Sequence, residues 1–213
     1  MIAILIGSTG LTGSSLVRQL LADPEITKVI SISRKPSQIS SPKLAEVLIS
    51  DLAELPSIES KIRGDLYFCS LGTTIKAAGS KENFEKVDHA AIVAFAKIAK
   101  AHDAKSFTLV SAMGANANSM IIYNRVKGRT ENDVRALGLR SLIIFRPALL
   151  VGPRHEFRLA ERIMVKTLVP LSTILPARIQ KSLVTKAKTL ATQMLTEGKA
   201  APMGVHVILA RDI

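Results

Sequence analysis

Tryptophan is absent, tyrosine occurs twice, and aromatic residues make up only 4% of the 213. Surfaces that stack nucleobases interleave aromatics with basic side chains, and no such pattern runs through this chain. A single cysteine, Cys69, excludes an internal disulfide and fits a reducing, cytoplasmic setting. Long apolar runs are missing as well. The best stretch, Ser141 to Val151, is broken by Arg146 and Pro147, so no membrane span or membrane partner is expected. Acids are scarce: 17 Asp and Glu face 29 Lys and Arg, giving a formal charge of +12. The basic residues are scattered, which reads as solubility and attraction of phosphorylated ligands rather than nucleic-acid binding.

What is present is a regular alternation. Ile2 to Ile6 is a continuous apolar run of the kind a parallel strand buries on both faces. Leu11 to Ala22 has helical spacing and stops near Asp23-Pro24. Further strands are expected at Lys28–Ser33, Ala45–Ser50, Asp65–Ser70, Ser106–Val110, Ser141–Phe145 and Val205–Leu209. Helices are expected at Ser80–His102, Ser119–Leu137 and Gln180–Leu195, with Gly138 and Gly198 just past the last two. The first seven residues carry no basic leader and read as a strand, not a signal peptide. Alternation of this kind predicts an α/β fold, a doubly wound parallel sheet of the Rossmann type. One domain spans residues 1–213, and 153–213 form a small substrate-side region.

Directly after the first strand comes Gly7-Ser8-Thr9-Gly10-Leu11-Thr12-Gly13. Glycine allows a tight turn, close backbone approach to a pyrophosphate and close packing of helix on strand. The following helix offers free N–H groups and its positive dipole end to phosphate. At the end of the second strand, an acid would bond the ribose 2′-hydroxyl of NAD. Here the sequence has Ser33-Arg34-Lys35, and Arg34 with Lys35 suits the 2′-phosphate of NADP better. Asp51 and Leu52 follow the third strand, where an adenine would lie. Leu71, Gly72 and Thr73 follow the fourth, across the crevice from the glycine loop. Cys69, just before them, reads as a packing residue.

Tyr123 and Lys127 stand four residues apart on one helix face. An ammonium beside a phenol favours the phenolate and makes proton exchange practicable near neutral pH. Ser111, at the end of the fifth strand, is placed to hydrogen-bond a carbonyl or alcohol. No metal is called for.

The order of these motifs resembles the short-chain dehydrogenase/reductase superfamily, and more closely its atypical, Tat-interacting-protein-like branch. The likeness is carried by Gly7 to Gly13, Ser33-Arg34-Lys35, Cys69 to Thr74, Ser111-Ala112-Met113-Gly114-Ala115, Tyr123 to Glu131 and Phe145-Arg146-Pro147. It implies Ser111, Tyr123 and Lys127 as a catalytic triad, with Tyr123 and Lys127 also touching the cofactor. Val87-Asp88 matches a family pattern without an assigned role. The expected activity is hydride transfer between NADP and a small carbonyl or alcohol substrate, in a chain for which a homodimer is considered. A protein that binds NADP(H) and reports redox state without turnover is the alternative. Arg154, His155 and Arg158 are noted as ligands or solvated surface.

Overall fold

The computed structural model describes residues 1–152 and 184–213. Seven parallel strands form one sheet in the order β3-β2-β1-β4-β5-β6-β9. They are β1 (Ile2–Ile6), β2 (Lys28–Ser33), β3 (Leu44–Leu48), β4 (Leu66–Cys69), β5 (Ser106–Val110), β6 (Ser141–Arg146) and β9 (Gly204–Leu209). A separate pair joins β7 (Leu149–Val151) to β8 (Val184–Lys186). The expected doubly wound Rossmann sheet is what forms. Its strand order reverses at β1, which pairs with β2 on one side and β4 on the other. A crevice therefore opens beyond the carboxyl ends of β1 and β4, where such sheets bind ligands.

Alternate residues of β1 explain why its run is apolar throughout. Ile4 and Ile6 enter one core with Leu55, Ile58, Ile92 and Phe95. Ala3 and Leu5 enter the other with Leu16, Leu20, Leu190 and Met194. Among the described residues the helices are α1 (Leu11–Ala22), α2 (Ile75–Ala78), α3 (Lys81–Glu85), α4 (Ala91–Ala101), α5 (Ile122–Ala136) and α6 (Ala187–Ala200), and a ten-residue 3-10 segment spans Leu52–Lys61.

Three expectations are adjusted. The long helix from Ser80 is capped by Ser80 as anticipated, its hydroxyl accepting from Asn83 N. It is not continuous, because a π turn at Lys86–Ala90 separates α3 from α4. The next helix starts at Ile122 rather than Ser119, since the Ser119 hydroxyl accepts from the Ile121 N–H and turns the chain before it. The last helix begins at Ala187, with Val184–Lys186 extended, and runs through Gly198 to Ala200. Gly198 is needed inside it: a Cβ there would lie 2.7 Å from the Phe68 ring. Its carbonyl also accepts from Ser106 Oγ at 2.7 Å. Arg154, His155 and Arg158 fall outside the described residues, as does the start of the helix expected from Gln180.

Candidate active site

The glycine loop is shaped by contacts no side chain could replace. Gly7 has φ +88°, and a Cβ on it would meet the Ser70 backbone at 2.7 Å. A Cβ on Gly13 would lie 2.1 Å from the Gly7 carbonyl oxygen. The loop and the end of β4 are tied together by Ser70 Oγ, which donates to the carbonyls of Ile6 and Gly7. Buried Ser31 of β2 donates to Ser8 Oγ at 2.7 Å. Helix α1 then follows Gly10, an N-cap residue with no side-chain cap, so its N-terminus stays available to an anion. In its first turn the buried Thr12 hydroxyl has no hydrogen-bond partner among the described residues. Buried polar atoms are normally paired. An uncapped helix with an orphaned hydroxyl at a switch point suits a dinucleotide pyrophosphate.

Around this cradle, the other anticipated contacts fall into two groups. Arg34 and Lys35 are exposed just past β2, where Ser33 Oγ donates to the Lys35 carbonyl and turns the chain. Neither makes an ion pair among the described residues. Leu71, Gly72 and Thr73 follow β4, and the Gly72 backbone lies beside Asp88 and Lys127. Asp51 uses one carboxylate oxygen as a cap: its Oδ1 accepts from Ala53 N at the start of the 3-10 segment, while Glu54 accepts from Asp51 N. Leu52 packs on the core. Cys69 is fully buried, and burial pushes its thiol up to about 12, which leaves it a packing residue and not a nucleophile.

Tyr123, Lys127 and Glu131 lie at four-residue steps along α5, and each meets a different partner. The Tyr123 ring stacks on buried Phe84 of α3, with centroids 5.6 Å apart. Lys127 is buried, and its ammonium stands 2.8 Å from Asp88 Oδ1. That oxygen takes no directed hydrogen bond besides this ion contact, while Asp88 Oδ2 accepts from Thr73 N at 2.8 Å. Burial alone would lower the lysine's pKa, but Asp88, then Tyr123, turn the net shift upward. Lys127 is thus a fixed cation. The π turn that carries Asp88 is pinned to α5 by Thr130, whose hydroxyl donates to the Asp88 carbonyl at 2.7 Å.

Ser111 stands at the end of β5, 5% exposed. Its hydroxyl donates to Glu131 Oε1 at 2.6 Å. Glu131 also receives two hydrogen bonds from Arg146, from Nε at 3.0 Å and Nη2 at 2.7 Å. Arg135 adds a third at 3.3 Å. Donating to the Glu131 carboxylate holds the Arg146 guanidinium more firmly protonated still. Asp88 and Glu131 are the site residues that sequence reasoning left without a role. Both had a signal: an acid on the inward face with Phe84 in one case, and the Tyr123–Lys127 stripe carried one turn further in the other.

Residues 7–169 match a family model described as NAD(P)H-binding. The chain belongs to that family. It is also 39% identical over 166 residues to a protein of Scheffersomyces stipitis named "Protein FMP52-2, mitochondrial", covering 76% of this chain and 72% of that one. The NAD(P)H-binding family member described here therefore has FMP52-type relatives, a finding consistent with its resemblance to the atypical dehydrogenase/reductase branch. The cytoplasmic expectation is corrected by the names of these relatives, since FMP52 proteins of other organisms carry the same mitochondrial label. One cysteine speaks for a reducing compartment and cannot tell one such compartment from another. Among solved structures, a short chain dehydrogenase/reductase family oxidoreductase from Burkholderia thailandensis superposes with TM-score 0.72 at 16% identity. It covers 99% of this chain and 92% of that one. The Bordetella bronchiseptica enzyme WbmH, solved with NAD+, has TM-score 0.71 and 16% identity over 97% of this chain and 74% of that one. At such identities the likeness is one of fold.

Proposed function

We propose that this NAD(P)H-binding protein is an NADP-dependent oxidoreductase acting on a small carbonyl or alcohol. The observation that carries the reading is the buried Lys127–Asp88 pair one helical turn from Tyr123, beside the crevice of the glycine loop. A nicotinamide, when bound, supplies or accepts the hydride. The chain's own residues do the rest. The uncapped N-terminus of α1 and the Thr12 hydroxyl bind the pyrophosphate. Arg34 and Lys35 hold the 2′-phosphate, and the Leu71-Gly72-Thr73 backbone borders the nicotinamide side. Tyr123 gives or takes the proton at its phenolic oxygen, with the cationic Lys127 favouring the phenolate when the proton leaves. Asp88 holds that ammonium in position, and Ser111 orients the substrate.

Tyr123→Phe keeps the ring on Phe84 and removes only the hydroxyl. NADPH oxidation is measured for wild type and variant on one panel of aldehydes, ketones and quinones. The variant is expected to lose about 10²–10⁴-fold in turnover and to keep its NADPH affinity. Activity that survives in the phenylalanine variant removes Tyr123 as the acid. A wild type that binds NADPH and turns over nothing replaces the oxidoreductase reading with that of a redox-reporting binding protein.

A further inference from the structure

The Ser111 hydroxyl owns one proton, and that proton is already committed. Its acceptor is Glu131 Oε1 at 2.6 Å. The same carboxylate takes the Arg146 guanidinium in a two-point contact and Arg135 as well. Three N–H donors on one carboxyl require it to be the anionic acceptor, so the proton between serine and glutamate belongs to the serine. A serine hydroxyl that has given its proton away has only lone pairs left to offer. It can accept a hydrogen bond from a ligand and cannot donate one. Toward a bare carbonyl, which only accepts, it contributes nothing.

We propose that Glu131 is a positioning residue that locks Ser111 as a hydrogen-bond acceptor, so that the site selects substrates bearing a hydroxyl next to the reacting carbon, the vicinal diol and α-hydroxy carbonyl class. This rests on the reading above only in taking Ser111 as the group that meets the substrate. The lock joins three elements: Ser111 directly after β5, Glu131 on α5 and Arg146 at the end of β6. Ser111 is further fixed through its backbone N–H, which donates to the Phe145 carbonyl at 2.7 Å. Glu131 and Arg146 also line a polar cavity of about 300 Å³ with Asn116, Asn118 and Asn132.

Glu131→Gln tests the lock through its protons. Oε2 faces two guanidinium N–H groups and Oε1 only that of Arg146 Nε, so the amide oxygen of glutamine takes the Oε2 place and its NH2 turns to Ser111. The serine then accepts from the amide, and its own proton is released toward the substrate. The experiment measures calorimetric affinity of the NADPH complex for butane-2,3-diol and for 3-methoxybutan-2-ol, whose ether oxygen can only accept, alcohols that reduced cofactor cannot oxidise. Wild type is expected to bind the diol about tenfold more tightly, the worth of one good hydrogen bond. In Glu131→Gln the ratio is expected to fall to about one. Ser111→Ala, which removes the acceptor and leaves Glu131 on Arg146, gives the same collapse and carries the test if the glutamine variant does not fold. A wild-type ratio near one, no saturable binding of either alcohol, or a ratio unchanged in folded variants overturns the proposal and leaves Ser111 as a strut between β5 and α5. The preference persisting in a wild type that oxidises nothing would instead remove the oxidoreductase reading and keep this one.

Discussion

Arg34 is the residue on which cofactor choice turns. It is exposed beyond β2, beside Lys35, where an acid would be the partner of an unphosphorylated ribose. A charge-assisted bond to phosphate contributes about 1.5–3 kcal/mol. Arg34→Ala is therefore expected to weaken NADPH binding about tenfold or more and leave NADH nearly unchanged, measured by titration of both cofactors. Equal losses would show that the guanidinium does not meet the 2′-phosphate. At this scale the sequence was legible where backbone chemistry dictates a residue type. Gly7 and Gly13 could be picked out because only glycine fits there. Asp88 and Glu131 were not assigned, because their value lies in partners brought from other elements: Lys127 for one, Ser111 and Arg146 for the other. Asp51 shows the converse. Its position after β3 pointed to adenine, but the capping box it forms with Glu54 is a local interaction that engages the same carboxylate.

Elements were legible to the degree that their periodicity is pure. β2 and β5 have the bounds their apolar runs suggest, as does α1. The π turn was hidden because one extra residue in a helical turn leaves the apolar spacing of Phe84, Val87 and Ala91 looking helical. Gly198 misled for a different reason: glycine after an apolar stretch usually ends a helix, yet here it lets α6 lie against Phe68. Gly198→Ala tests that account. The added methyl lies 2.7 Å from Cε1 and 2.9 Å from Cζ of a fully buried ring. Overpacking costs about 1–3 kcal/mol, against roughly 1 kcal/mol gained from helix propensity. The urea midpoint is expected to fall with unchanged slope; a more stable variant would mean that the contact is loose.

Two carboxylates with depressed pKa values tie distant parts of the molecule together. Asp65 accepts from Ile2 N at 2.8 Å and meets Lys105 at 3.1 Å. Its carboxyl sits below its ordinary 3.8, chiefly through the Ile2 hydrogen bond. Asp23, at the end of α1, is lowered chiefly by its hydrogen bond from Lys199 of α6. A folded-state pKa below the unfolded value gives stability that is complete above the unfolded value and is lost as pH falls through the folded one. The stability gap between wild type and Asp65→Ala, about 1–3 kcal/mol, is thus expected to hold from pH 7 to about 5 and to narrow below 3.8. Urea unfolding across that range checks it, and a gap undiminished near pH 2 would assign the loss to packing instead of charge.

The two faces of the sheet also close at different moments of the chain's synthesis. Among the described residues, every buried member of the core on the α4 side lies between Ile4 and Ile144, all of them made once β6 has emerged. The opposite layer sets Leu16, Leu20 and Phe68 against Leu190, Ala191 and Met194, which are made some fifty residues later. At translation rates of roughly 5–20 residues per second, the α1 side of a nascent chain waits about 3–10 s for α6 to cover it. A ribosome that stalls in the interval holds a sheet covered on that face by α1 alone, and the surface that Leu190, Ala191 and Met194 would cover is the kind of apolar patch that chaperones retain.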